Sequence, residues 1–122
     1  MVKALFDTNI LIDYLNAVPE ARAELSLYAE KAISIITWME VMVGAAESLA
    51  APTRDFLGGF ELVGLDARIA AQAVDLRRRH RIKLPDAVIW ASAQDRAMLL
   101  VTRNFKDFPA VAFDLKLQLA KA

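Results

Sequence analysis

Short apolar runs alternate with stretches of helical periodicity along nearly the whole chain, and this alternation limits the fold more than any other feature. Val2 to Phe6 is an apolar run that reads as a buried strand. Ala32 to Ile36, with its β-branched isoleucines, reads as a second strand, Phe60 to Leu65 is strand-like, and Met98 to Thr102 is a further one. Between them, Ile10, Leu11, Tyr14 and Leu15 recur at helical spacing, and Pro19 opens a helix predicted to run to about Lys31. Further helices are predicted over Val41 to Leu49, from Pro52 to the Gly58-Gly59 pair, from an Asp66 cap to about Arg81, and from Leu84-Pro85-Asp86 to about Ala97. A loop over Arg103 to Asp107 and a last edge strand over Ala110 to Phe113 complete the expectation. Strands separated by helices call for an α/β fold, a central and mostly parallel sheet with helices on both faces. No repeat, low-complexity tract or linker interrupts the pattern, so residues 1–122 read as one domain.

The composition, 57% hydrophobic and 25% charged, excludes a disordered chain. Cysteine is absent, which excludes disulfides, zinc–thiolate sites and a catalytic thiol, and allows a reducing cytoplasm. No run approaches the roughly eighteen apolar residues of a membrane span, and Asp7 interrupts any signal-peptide centre. A soluble, cytoplasmic protein without membrane contact is expected. The formal net charge of zero hides a division: residues 1–61 hold 4 basic against 9 acidic side chains, and residues 62–122 hold 11 against 6.

Three acids occupy comparable places. Asp7 follows the first strand, Glu40 is expected in the first turn of the helix after the second, and Asp86 opens a later helix. In an open α/β sheet, ligands bind beyond the carboxyl ends of the strands, so these residues are brought towards one rim. The loop after Thr102 would add Asn104 and Asp107. Carboxylates crowded together repel, and a hard divalent cation such as Mg²⁺ or Mn²⁺ resolves the repulsion with oxygen ligands. With His80 the sole histidine, zinc catalysis and serine-type acyl transfer are poorly supplied. Capping is the plainer alternative for each acid: Asp7 and Asp86 as helix N-caps, and Thr37-x-x-Glu40 as a capping box. It does not account for all three falling where the topology would gather them.

Leu5-Phe6-Asp7-Thr8-Asn9-Ile10-Leu11-Ile12, Thr37-Trp38-Met39-Glu40-Val41, Leu84-Pro85-Asp86-Ala87 and the run from Leu100 to Phe108 resemble, in order, the successive motifs of a PIN domain. More closely they resemble the VapC-type toxins of bacterial toxin–antitoxin pairs, over nearly the whole chain. The resemblance implies a PIN-like fold and an endoribonuclease dependent on Mg²⁺ or Mn²⁺, with Asp7, Glu40 and Asp86 as its acidic, metal-holding triad. It puts Asn104 where many relatives carry a fourth acid, with Asp107 nearby, and matches Thr8 and Thr102 to hydroxyl positions beside the site. Either threonine could equally satisfy a turn N–H. By the family mechanism, in-line attack of water on phosphorus leaves 5′-phosphate and 3′-hydroxyl ends. The implied partners are an RNA substrate, a second copy in a homodimer and a cognate VapB-type antitoxin in a larger complex, with DNA contacted only through the antitoxin.

Arg77, Arg78, Arg79, Arg81 and Lys83, with His80 among them, form the densest positive charge. They suit the negative end of a helix dipole, or contacts to an RNA backbone. His80 is read as a surface member of this run. Trp38, Met39, Met42 and Trp90 stand around the acids and are read as core, with excess apolar surface left for a partner segment. Asp13 is read as a solvated or salt-bridged residue. Two other functions compete with the nuclease. A haloacid-dehalogenase-like phosphatase would want a second Asp where Asn9 stands, and a catalytically silent α/β interaction module would be indifferent to loss of the acids.

Overall fold

The computed structural model describes residues 2–104, 108 and 117–119. Five strands lie in one sheet in the order β3-β2-β1-β4-β5: β1 (Lys3–Phe6), β2 (Glu30–Ser34), β3 (Glu61–Val63), β4 (Leu99–Thr102) and β5 (Leu117–Leu119). Every pairing between them is parallel. Helices α1 (Thr8–Leu15), α2 (Pro19–Ser26), α3 (Ile35–Gly44), α4 (Ala50–Leu57), α5 (Ala67–His80) and α6 (Leu84–Asp95) provide the crossovers.

Both faces of the sheet are buried, which is why its inner strands read as continuous apolar runs. Leu5, Ala32, Val63 and Leu100 face one core with α5 and α6. Their neighbours Ala4, Phe6, Ile33 and Val101 face the other, with Ile10, Leu11, Val41 and Leu57 from the helices. Helix α6 is buried continuously from Ala87 to Ala93, so its sequence lacks an amphipathic stripe. It packs against α5 in an antiparallel hairpin, and Asp95 at its end accepts from Gln72 and Arg68 near the start of α5.

Several predicted boundaries move. The helix from Pro19 ends at Ser26, not near Lys31, because Glu30 and Lys31 belong to β2. The second strand ends at Ser34, whose hydroxyl accepts the Ile36 N–H at 3.1 Å and caps α3. The strand preference of Ile35 and Ile36 thus yields to an N-cap. That cap also removes the Thr37-x-x-Glu40 capping box, since Thr37 and Glu40 both lie inside α3, and it moves Glu40 from the expected first turn to the second. The Asp66 cap is present, with Oδ1 accepting the Ile69 N–H at 2.9 Å. The predicted strand over Ala110 to Phe113 lies outside the described residues, and β5 pairs with β4 at Leu117–Leu119.

Candidate active site at the carboxyl rim of the sheet

Strand register builds the site. Phe6 pairs with Val101, and the Asp7 N–H extends that ladder to the Val101 carbonyl at 2.9 Å. Asp7 therefore stands beside Thr102, whose hydroxyl donates to Asp7 Oδ2 at 2.7 Å. The Asn104 N–H donates to the same Thr102 oxygen at 2.9 Å. Asp7 is also the N-cap of α1: Oδ1 accepts the Thr8 N–H at 2.7 Å, and Asn9 Nδ2 donates to Oδ2 at 3.1 Å. The capping and site readings of Asp7 thus describe one side chain, 3% exposed and surrounded by donors, as a buried carboxylate requires.

The first turn of α1 reaches α3. Thr8 Oγ1 lies 2.7 Å from Glu40 Oε1 and 3.0 Å from Thr37 Oγ1. A hydroxyl has one proton and an ionised carboxylate only accepts, so the Thr8 proton goes to Glu40 and the Thr37 hydroxyl completes the chain. Thr37 and Glu40 are three residues apart and share one helix face. Asp86 lies in the first turn of α6, half-buried, where Lys83 rather than Asp86 occupies the cap position. Helix α6 packs against α3, the helix of Glu40. Asp107 lies outside the described residues.

Thr37 and Asn9 were not singled out as site residues from sequence, although both touch the carboxylate network. Thr37 was hidden behind a capping motif. Asn9 had a signal in its place two residues after Asp7 on a helix start. Its Oδ1 is buried and has no hydrogen-bond partner among the described residues. Asp13 is salt-bridged, as one reading of the sequence allowed: Arg103 holds both its oxygens, with Nη2 at 2.9 Å from Oδ1. This ties the segment after β4 to α1. His80 is not a free surface residue. It is half-buried, and its ring stacks on Trp90 with centroids 4.7 Å apart.

The sequence profile of the PIN domain family matches residues 4–114. The chain belongs to the PIN-domain family. Among solved structures, this PIN domain is similar to a chain of a toxin–antitoxin complex from Klebsiella pneumoniae, at 43% identity and a TM-score of 0.89, covering 95% of this chain and 96% of that one. It is also similar to a chain of VapBC2 from Rickettsia felis bound to a promoter DNA fragment, at 25% identity, a TM-score of 0.83, and coverage of 99% and 100%. DNA-bound VapBC from Salmonella typhimurium gives 25% identity, a TM-score of 0.79, and coverage of 97% and 98%. No curated protein matches the chain. Together the matches put this PIN domain among the VapC-type members, a family of nucleases in general.

PIN nucleases generally use a divalent cation, and the donor chemistry fits one. Asp7, Glu40 and Asp86 offer hard oxygens, and Asn9 Oδ1 is a buried oxygen with no donor among the described residues. Among the described residues, however, no three acidic or histidine side chains form a group that could hold a metal as they stand. No helix is long and apolar enough to cross a membrane among the described residues.

Proposed function

We propose that this chain, as one PIN domain over residues 1–122, is the toxin of a VapBC-type pair: a cytoplasmic endoribonuclease dependent on Mg²⁺ or Mn²⁺ and silenced by a cognate antitoxin. The observation that carries this reading is the pair of hydroxyl–carboxylate contacts, Thr102 to Asp7 and Thr8 to Glu40, at the carboxyl rim of a parallel sheet. Asp7, Glu40 and Asp86 would hold the cation, which supplies Lewis acidity towards the scissile phosphodiester when bound. Thr8 and Thr102 fix the direction of two carboxylates, and Asn104, an amide, adds an oxygen without charge. Attack of water at phosphorus, in line with the P–O3′ bond, breaks that bond and leaves 5′-phosphate and 3′-hydroxyl ends.

The antitoxin reading rests on an apolar groove as well as on the nature of the related complexes. A cavity of about 440 Å³ is lined by Ile12, Leu15, Val41, Ala45 and Leu49. Helices α1 and α3 form two of its walls, with the segment from Ala45 to Thr53 completing it, and these two helices present Thr8 and Glu40. An apolar face of an antitoxin segment fits there and would run towards the acids. A homodimer, a higher-order toxin–antitoxin assembly and DNA contact through the antitoxin belong to the same proposal.

The test is inducible expression of wild type and Asp7→Ala without antitoxin, followed by growth and RNA integrity, with purified protein assayed on RNA in Mn²⁺ and in EDTA. Wild type should stop growth and cut RNA only with metal, and Asp7→Ala should do neither. A wild type that leaves growth and RNA untouched would mark the chain as a silent interaction module.

A further inference from the structure

The cations of residues 77–83 are not equivalent. Arg77 Nη1 donates to the Ile82 carbonyl at 2.7 Å, and Arg79 pairs with Asp75 at 2.8 Å along α5. His80 lies against Trp90. Arg78, Arg81 and Lys83 remain exposed, and among the described residues they have no ion pair or side-chain hydrogen bond.

Arg81 adopts the left-handed conformation, with φ 56° and ψ 32°, as the C-cap of α5, and its N–H closes on the Arg77 carbonyl at 2.8 Å. Such a position favours glycine, because a Cβ crowds the backbone there. Ala17 and Ala97 share the conformation, so the strain by itself is a habit of this chain. What separates Arg81 is that it combines the strain with an unpaired cation on a fixed turn. Arg77 bridges the turn from above, and Ile82 plugs it from below at 4% exposure.

The turn adjoins the acidic rim. Lys83 caps α6, whose first turn carries Asp86. Trp90, 2% exposed, contacts His80 on one side and Phe108 on the other, and the Phe108 N–H bonds to the Asn104 carbonyl. An acidic rim repels a polyanion over the roughly 8 Å reach of charge in physiological salt, so unpaired cations beside it serve to hold one.

We propose that Arg78, Arg81 and Lys83 form a preorganised clamp for the phosphates of an RNA strand entering the site. This rests on the ribonuclease reading and assigns its substrate-gripping surface. Arg77 braces the turn and Arg79 pairs along α5, and neither holds a phosphate.

The test separates binding from cutting. Purified full-length protein is titrated into a fluorescein-labelled single-stranded RNA of about 20 nucleotides in EDTA, between about 50 and 200 mM salt. Arg81→Gly should weaken binding and reduce the slope of log K against log salt by about 0.7, while raising the melting temperature by a few degrees. Arg81→Lys should keep the slope without the gain in melting temperature. The triple variant Arg78→Ser, Arg81→Gly, Lys83→Ser should lower the slope by about 2. The clamp is overturned if the triple variant binds RNA with the wild-type slope, if wild type binds none, or if the variants lose only polyglutamate binding. A wild type that binds with full slope yet never cuts RNA with Mn²⁺ sinks the nuclease and leaves the clamp standing.

Discussion

Thr8 holds Glu40 by a 2.7 Å hydrogen bond that spans 32 residues of sequence and joins the start of α1 to the middle of α3. The donor comes from the residue after Asp7, so one short stretch aims two acids. Thr8→Val should lower RNA cleavage in Mn²⁺ by about 10- to 100-fold, the usual effect of removing a partner that orients a metal-site ligand. Thr8→Ser should retain most of the rate. Initial rates on a labelled RNA, with circular-dichroism melts as a folding control, decide it. Equal rates for wild type and Thr8→Val would show that Glu40 needs no such support.

Thr102 serves two neighbours at once, donating to Asp7 Oδ2 and accepting from the Asn104 N–H. Its side chain is fully buried. Thr102→Val keeps the shape and strips both bonds, and a buried polar group left unpaired costs about 1–3 kcal/mol. Urea titration should show a loss of that size.

Asp95 carries a pH dependence remote from the site. The Gln72 amide, and after it the Arg68 guanidinium, hold its carboxyl below the usual carboxylate range. A folded-state value below the unfolded one gives stability present above about pH 3.9 and lost as pH falls through the folded value. Wild type should melt higher than Asp95→Asn at neutral pH, and the gap should close in acid. A gap that persists at pH 2 would trace the difference to packing instead.

Trp90 joins α6, His80 and Phe108 while its Nε1 is buried without a hydrogen-bond partner among the described residues. Trp90→Ala should cost about 3–5 kcal/mol through the cavity it leaves. Trp90→Phe removes the unpaired N–H with part of the ring and should cost far less. Comparable urea midpoints for the two variants would contradict the packing described.

The ion pair of Arg103 with Asp13 is partly exposed, so Arg103→Ala should cost less than about 1 kcal/mol of stability. Its larger effect should fall on catalysis, since it tethers Asn104 and the segment after β4 to α1. A measured KM and kcat for the variant, set beside its melting curve, test that split.

The sequence by itself determined the order of strands and helices as far as β4, the Asp66 cap and the two-sided burial, because periodicity and caps are set by residues a few positions apart, whereas β5 at Leu117–Leu119 was not legible in it. It also marked Asp7, Glu40 and Asp86 through motif order, and left open what each side chain touches. The tertiary structure decided that Ser34 rather than Thr37 caps α3, which released Thr37 and Glu40 to face Thr8. It also set Thr102 against Asp7 and gave Asn9 a place beside the same carboxylate. These contacts depend on parallel register between strands distant in sequence, β1 with β4 above all, and on the crossing of α1 with α3. A shift of one residue in that pairing would turn every side chain to the opposite face, and no local pattern records which register packs both cores.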